Sequence, residues 1–331
     1  MVVFSGSSWQ PARNPRSIHL KFLYDMHKKT MTAGALAARE EAVKRVGKVV
    51  TAADEALTAA VASGDQEKIK EAASRAFGTH QWADRTVNII RGCNCGCLGC
   101  FAADIANRFK MVAPGQWKTE VLNERALNAK VPKGGTLTMF PSTHNISPEF
   151  LDPCEEKIQQ ILDSGSDILI VLKPWLEVVT SICTRFDAEK DRITFRFTIG
   201  STDNEVLKFW EPGAPSYEER KACLQFAGEH GYGTGISVEP WWGGDLDGLI
   251  SELRPYVTDS IWIGKMNRGK ARMKNNGHWN PQTEAKYNEL MTVWYADANI
   301  RAIYNRYKDD PLISWKESIA KVVGAVSDCK E

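Results

Sequence analysis

Four of the eight cysteines of this 331-residue chain lie in one short stretch, Gly92-Cys93-Asn94-Cys95-Gly96-Cys97-Leu98-Gly99-Cys100-Phe101. Thiols this close together cannot be divided among separate disulfides without severe geometric strain, so a shared metal is the better reading. Without Cys95, the cysteines 93, 97 and 100 form a C-x3-C-x2-C pattern. Three thiolates leave one corner of a four-iron cluster without a protein ligand, and an open iron is a place for chemistry.

The cysteine stretch follows a strand-like segment, Thr86 to Ile90, and precedes a helix-like one, Phe101 to Phe109. In this setting it resembles the cluster loop of the radical S-adenosylmethionine (radical SAM) enzymes. The resemblance implies a [4Fe-4S] cluster held by Cys93, Cys97 and Cys100, with S-adenosyl-L-methionine (SAM) chelated at the free iron. It also implies an electron donor such as flavodoxin or ferredoxin, reductive cleavage of SAM, and a 5′-deoxyadenosyl radical that takes hydrogen from a substrate.

Other uses of the thiols stay open at this point. One is a zinc site made of all four thiolates, and another is a closed electron-transfer cluster. Structural zinc usually draws two C-x2-C pairs from separate turns, whereas the other four cysteines are isolated: Cys154, Cys183, Cys223 and Cys329. The leading alternative in another class is a non-catalytic iron-sulfur or zinc-binding interaction protein that holds a partner with a basic N-terminal arm.

The composition of the chain limits the cellular compartment in which it can work and the classes of partner that it can bind. A chain with 43% apolar residues has enough of them for a full core, and its formal net charge of +1 gives no global field to recruit nucleic acid. No apolar run approaches the length of a membrane span, and Met1-Val2-Val3-Phe4 is too short for a signal-peptide core. Because clustered free thiols need a reducing compartment, we predict a cytoplasmic protein with no membrane partner.

The chain divides into three predicted parts. Residues 1–84 combine a basic arm with two or three Ala-rich helices. The first fifty residues contain nine basic residues and only three acidic ones. Residues 85–270 carry the predicted radical SAM barrel. Residues 271–331 form a C-terminal helical region, with one helix from Thr283 to about Tyr307, that we expect to cover the barrel.

Short β-rich runs alternate with helical stretches after Asp84. The six predicted strands are Thr86 to Ile90, Thr136 to Met139, Ile168 to Leu172, Ile193 to Thr198, Thr234 to Val238, and Ile261 to Ile263. Such alternation predicts parallel β/α units. The fold class is therefore α/β, a partial (β/α)6 TIM-type barrel with an N-terminal helical extension.

Polar groups follow most of the predicted strands, where barrels gather their chemistry. SAM carries a carboxylate, an ammonium and a ribose diol. From the residues alone, Lys173 is a candidate for the carboxylate, Ser142 and Ser201 for polar groups, and Glu239 for the ammonium or a ribose hydroxyl. His144, in the same polar loop as Ser142, is a weaker candidate because such a histidine is often only hydrogen-bonded there.

Two further stretches look like the spore photoproduct lyase-like branch, Thr198 to Asp203 and Glu211 to Arg220. Similarity to phage-type radical SAM proteins extends to residues 100–103 and 237–240. The branch implies SAM contacts from Ser142 and Lys173. True photoproduct lyases carry a hydrogen-donating cysteine where this chain has Phe140-Pro141, and tyrosines beside the last cluster cysteine where it has Gly99 and Phe101. We therefore do not expect photoproduct repair.

A basic run lies just past the sixth predicted strand: Lys265, Arg268, Lys270, Arg272 and Lys274. It is either a phosphate grip for a nucleotide, nucleic acid or phosphorylated metabolite, or a solvated basic loop. The substrate itself stays unidentified from the sequence.

Overall fold

The computed structural model describes residues 78–324, in which a parallel β-sheet of seven strands positions the candidate residues at the strand ends. The described chain contains these strands: β1 (Arg85–Thr86), β2 (Ile90–Arg91), β3 (Val121–Leu122), β4 (Leu137–Met139), β5 (Asp167–Leu172), β6 (Ile193–Thr198), β7 (Gly233–Val238), β8 (Ile261–Ile263) and β9 (Ile313–Trp315). The sheet order is β1-β4-β5-β6-β7-β8-β9, and β2 pairs with β3 in a separate antiparallel ribbon. The curled parallel sheet confirms the predicted partial TIM-type barrel.

Helices connect the parallel strands in the way that this topology requires. They are α1 (Phe101–Arg108), α2 (Glu124–Leu127), α3 (Leu151–Asp163), α4 (Leu176–Arg185), α5 (Asn204–Trp210), α6 (Tyr217–Glu229), α7 (Leu246–Leu253), α8 (Gly269–Asn275), α9 (Pro281–Glu289), α10 (Asp297–Tyr307) and α11 (Glu317–Val323). Each pair of consecutive strands from β4 to β8 is joined by at least one of them, α3, α4, α5 with α6, and α7. The carboxyl ends of these strands consequently meet at one edge of the sheet.

Side chains alternate between the two faces of the sheet, so the apolar core is divided into two layers. In β6, Phe195 and Phe197 pack in the large apolar cluster that includes helix residues such as Ile182 and Leu224. The residue between them, Arg196, points to the opposite, concave face, because side chains alternate along a strand. Leu169 of β5 belongs to a second, smaller cluster with Trp82, Met139 and Trp262. That second cluster forms the floor of the barrel interior.

A buried cation sits in this floor. The guanidinium of Arg196, fully shielded from solvent, donates to Asp259 Oδ2 at 2.6 Å. Its Cζ lies 4.8 Å from the Trp82 ring centre and 5.6 Å from that of Trp262. Gly235 pairs with Arg196 across the sheet, and a Cβ there would lie 3.0 Å from Asp259 Oδ2, so a side chain at 235 would crowd this ion pair.

The first predicted strand, Thr86 to Ile90, is wrong in extent. Only Arg85–Thr86 pairs in the sheet, and the chain then turns so that Ile90–Arg91 pairs antiparallel with Val121–Leu122. Gly92, with φ of +96°, follows β2 directly. A Cβ there would lie 2.1 Å from the Thr119 carbonyl oxygen, so only glycine allows the two backbones to approach this closely. The cysteine stretch therefore starts from this ribbon rather than from the sheet.

The C-terminal region also departs from the predicted pattern. The single helix predicted from Thr283 to about Tyr307 is divided into α9 and α10 by a π-helical turn, Leu290–Trp294. The buried Tyr295 ends this turn, and its hydroxyl donates to the Trp241 carbonyl oxygen at 2.6 Å. Beyond it, Ile313–Trp315 adds a seventh strand that pairs with β8. The sequence predicted only helix there, because a three-residue strand has too little periodicity to be recognised.

Part of the predicted organisation lies outside the described residues. The basic arm and the N-terminal helical extension fall before residue 78, so both stay predictions. Within residues 78–324, no helix has the length and apolar character needed to cross a membrane.

Replacing Asp259 by Ala should lower the free energy of unfolding by about 3–5 kcal/mol, because the buried Arg196 guanidinium would lose its counter-charge. Asp187 offers a matched control, since its 2.9 Å pair with Lys190 is exposed at the surface. Asp187→Ala should cost less than about 1 kcal/mol. Urea unfolding of both variants measures the difference, and equal losses would contradict the structural role of the buried pair.

Candidate functional site

The cysteine stretch lies between β2 and α1 and is fixed by backbone hydrogen bonds from three directions. The Cys93 N–H donates to the Trp117 carbonyl oxygen at 2.8 Å, and the Leu98 N–H donates to that of Trp210 at 3.0 Å. The Gly213 N–H donates to the Cys95 carbonyl oxygen at 2.9 Å. A Cβ at 213 would lie 2.2 Å from the Asn94 carbonyl oxygen, so only glycine allows this approach.

The four cysteines of the stretch differ in their surroundings. Cys93, Cys97 and Cys100 are partly exposed, whereas Cys95 is buried and accepts a hydrogen bond from Asn145 Nδ2 at 3.3 Å. The Cys100 sulfur caps α1 by accepting from the Ala103 N–H at 3.4 Å. Burial raises the pKa of the Cys100 thiol, and a hydrogen bond with Cys95 lowers the pKa of the Cys93 thiol. Cys95 is thus the buried member of the stretch, while the other three cysteines are partly exposed, and all four border an open space.

That open space is a cavity of about 440 Å³ at the carboxyl ends of the parallel strands. All four cysteines line it, together with side chains that follow β4, β5, β7 and β8. These strand-end residues include Ser142, His144, Asn145, Lys173, Glu239, Lys265 and Asn267. The sheet therefore brings the cysteine stretch and most of the predicted strand-end groups to one place.

Ser142 is held at the cavity by Asn88, which lies between β1 and β2. Asn88 Oδ1 accepts from the Ser142 and Thr143 N–H groups, both at 2.8 Å. Asn88 Nδ2 donates to Ser142 Oγ at 2.8 Å, so the serine hydroxyl hydrogen remains available to donate into the cavity. Sequence reasoning missed Asn88, although a lone amide inside an apolar strand-like run is an available signal.

Lys173 is positioned through its backbone by Asn145. The Asn145 amide donates to the Lys173 carbonyl oxygen at 2.7 Å and accepts from the Lys173 N–H at 3.0 Å. The same Nδ2 donates to Cys95. One amide side chain thereby connects the cysteine stretch, the loop after β4 and the end of β5.

The Lys173 ammonium lies 3.8 Å from Glu211 Oε1 in a buried charge network. Glu211 also accepts from Arg220 at 2.7 Å and from the Trp242 indole N–H at 3.0 Å. Burial alone would lower the pKa of Lys173, but its electrostatic interactions with Cys97 and Glu211 raise it. Burial would raise the pKa of Glu211, but the Lys173 and Arg220 cations lower it. Both groups are therefore ionised.

The other two predicted SAM-binding residues, Ser201 and Glu239, differ in whether they reach the cavity. Ser201 is buried, its Oγ accepts from the Asp203 N–H at 3.1 Å, and it is absent from the described cavity lining. Glu239 does line the cavity, 3.6 Å from the Lys316 ammonium, and burial raises its pKa. Lys316 follows β9, a strand that the sequence did not reveal, so no signal pointed to this pair.

His144 lines the cavity but is tied to the backbone. Its Nδ1 lies 2.7 Å from the Asn145 carbonyl oxygen, and its Nε2 lies 3.2 Å from the Ile89 nitrogen. Because the Ile89 N–H donates, Nε2 accepts and Nδ1 carries the proton. Burial lowers the pKa of His144 to about 4. The neutral ring holds the polar loop against the end of the β1 segment.

The cysteine side chains can be compared with the ligands that a metal ion or an iron–sulfur cluster needs. Across residues 78–324, no set of three or more His, Cys, Asp or Glu side chains is arranged around one point that would hold a single metal ion. Cys93, Cys97 and Cys100 instead line a cavity from separate turns of one loop. Thiolates are the ligands of iron–sulfur clusters. Burial raises the pKa of Cys97 and Cys100, a hydrogen bond with Cys95 lowers the pKa of Cys93, and the Lys173 cation acts to lower the pKa of all three thiols. The three cysteines are of the chemical kind that a cluster needs.

Comparisons with known proteins give few relatives. No family model matches the chain. A stretch of 202 residues is 28% identical to an uncharacterized protein of Acidianus two-tailed virus, over 55% of this chain and 65% of that protein, less than two thirds of its length. Two solved structures of spore photoproduct lyase mutants, one with dinucleoside spore photoproduct, are 17% and 16% identical over 70% of this chain and 75% of theirs, with TM-scores of 0.45.

The buried imidazole of His144 predicts a pH effect on stability. The pKa is about 4 in the folded chain and about 6.5 in the unfolded one, so acid charges the unfolded state first. The free energy of unfolding should fall between pH 6.5 and pH 4 by on the order of 3 kcal/mol more than in a His144→Asn variant. Urea titrations across this range measure the difference, and parallel curves for the two proteins would contradict it.

Proposed function

We propose that this chain is a radical SAM enzyme that takes hydrogen from a substrate bound in the 440 Å³ cavity. The observation that supports it most is the shared cavity itself. Cys93, Cys97 and Cys100 line it together with Ser142 and Lys173, at the carboxyl ends of the parallel strands. Three thiols for a cluster and two polar groups for its ligand thus line one cavity.

The three cysteines would hold a [4Fe-4S] cluster, with Cys95 left as a structural thiol. When bound and reduced, the cluster supplies one electron that cleaves SAM and so generates the 5′-deoxyadenosyl radical. The protein holds the loop rigid for this purpose. Its contacts with Trp117, Trp210 and Gly213 fix the loop backbone independently of any metal.

Lys173 and Ser142 would bind the polar end of SAM. Lys173 offers a full positive charge for a carboxylate, and Glu211 and Asn145 fix where that charge lies. Ser142 offers a hydroxyl donor whose direction is set by Asn88. Glu239 remains a candidate for an ammonium or ribose hydroxyl at the far side of the cavity. Ser201 is given no role in this proposal, because it does not line the cavity.

The apolar lining would protect a reactive species from water. Met139, Val171, Leu172 and Trp82 line the cavity on its sheet side, and Met139 and Trp82 belong to the second apolar cluster, against which Val171 packs. Exclusion of water prevents side reactions of reactive intermediates. The lining after β4 is Met139, Pro141 and Ser142, with no thiol at that strand end, which argues against the photoproduct repair chemistry of the lyases.

Cys93→Ala, Cys97→Ala and Cys100→Ala should each abolish reductive cleavage of SAM, because each removes one of three ligands. Cys95→Ala is the matched control, from the same loop and of the same volume change. It should keep cleavage, with a loss of stability of about 1 kcal/mol from its lost contact with Asn145. Anaerobic reconstitution, followed by chromatography of the 5′-deoxyadenosine formed, measures all four.

Two outcomes would contradict the proposal. Equal loss of cleavage in Cys95→Ala would mean that the ligand set is wrong. Purified protein that binds zinc but assembles no reducible cluster would favour the alternative, a non-catalytic zinc-binding interaction protein.

A further inference from the structure

The basic run after β8 is divided by the fold into two groups. Lys265 and Arg272 line the cavity, whereas Lys270 and Lys274 lie over the Trp279 ring, 5.1 and 5.9 Å from its centre. Lys270 also lies 4.0 Å from Glu284. The sequence presented these cations as one run, but only two of them reach the site.

Neither cavity-lining cation forms an ion pair within the described part of the chain. The Lys265 ammonium lies 6.0 Å from the Tyr295 ring centre, and the Arg272 guanidinium lies 6.0 Å from that of Phe101. Burial lowers the pKa of both groups. Carboxylates lie within electrostatic range of both cations, but none of those in the described residues is at ion-pair distance, so these partly dehydrated cations have unused capacity to bind an anion.

The neighbouring carboxylates are already engaged. Each on this side of the cavity faces another cation: Asp104 faces Arg108 at 3.8 Å, Glu239 faces Lys316 at 3.6 Å, and Glu317 faces Lys321 at 2.7 Å. Asp297 is within electrostatic range of Lys265 but is exposed. A net positive charge therefore remains at this end of the cavity.

The backbone that carries Lys265 is fixed. The Lys265 N–H donates to Ser318 Oγ at 2.8 Å, and the Met266 N–H donates to the Tyr295 hydroxyl at 3.1 Å. Gly269, at the start of α8, allows close packing, since a Cβ there would lie 2.2 Å from the Met266 sulfur. The two cations are thus presented by a rigid segment rather than by a solvated loop.

We propose that Lys265 and Arg272 bind a phosphate ester of the substrate at the β8 end of the cavity. Two unpaired cations match the double negative charge of a phosphate monoester, and the guanidinium fork binds two phosphate oxygens at once. This inference rests on the proposed function, because it places the phosphate in the same cavity as the cluster. β8 is three strands from β5, roughly 14 Å along the sheet, which separates Lys265 from Lys173. Arg272 reaches the cavity from α8, beside Phe101 and within electrostatic range of Cys100 and Glu239.

The direct test titrates the full-length chain with inorganic phosphate by calorimetry at low ionic strength. We expect one saturable site in the unsubstituted protein. Lys265→Gln and Arg272→Gln should each weaken phosphate binding about tenfold, because each removes a charged hydrogen-bond donor. Lys270→Gln is the matched control from the same run, and it should bind phosphate unchanged.

Several results would overturn the inference. One is the absence of saturable phosphate binding, another is an equal effect of Lys270→Gln, and a third is equally strong binding of acetate. The titration is then repeated on reconstituted protein with saturating SAM, which should leave phosphate binding unchanged. Displacement by SAM would mean that Lys265 and Arg272 belong to the SAM site. If SAM fails to bind at all while phosphate binding persists, the proposed function fails and the anion site stands.

Discussion

The arrangement of the site depends on the ion pairs that the Glu211 carboxylate forms with Lys173 and Arg220. Glu211 follows the last residue of α5 directly, in the short stretch that also supplies the Trp210 carbonyl oxygen and the Gly213 N–H to the cysteine stretch. The same carboxylate faces Lys173 at the end of β5 and Arg220 in α6. Two buried cations would be left uncompensated without it, at a cost of several kcal/mol. The cysteine stretch and the cavity cation are therefore positioned by one segment.

The cavity is chemically divided along the sheet. At the end near β4 and β5, three thiols face a serine hydroxyl and one cation, and the amides of Asn88 and Asn145 fix the loops that carry them. At the β8 end, Lys265 and Arg272 remain without carboxylate partners in the described residues. Below both, the apolar floor and the buried Arg196–Asp259 pair close the barrel interior. In the proposed function the first end would hold the cofactor and the second the anionic part of the substrate, with Arg272 lying between them beside Phe101.

Sequence reasoning predicted the parts of the site that local patterns encode. The cysteine spacing, Ser142 and Lys173 follow from a motif and from strand ends, which can be read within a few residues. Asn88, Glu211 and Lys316 were missed because their roles arise from partners far along the chain, such as the bond between Asn88 and Ser142 across 54 positions. Ser201 also follows a strand but does not line the described cavity, and its role stays a prediction. A serine after a strand can equally well bond its own turn, and here it accepts from Asp203. The strand β9 was not predicted because three residues are too few to show the alternation of apolar and polar side chains that marks a strand.

The central claim, that three sulfurs hold a cluster and leave one iron open to SAM, is tested most directly by electron paramagnetic resonance. Anaerobically reconstituted and reduced protein should show a reduced [4Fe-4S] signal whose g values shift when SAM is added. The shift should persist in Cys95→Ala, since that thiol is bound to Asn145 rather than to iron. A cluster signal that SAM leaves unchanged would show that the fourth iron is already occupied, and the account would be wrong.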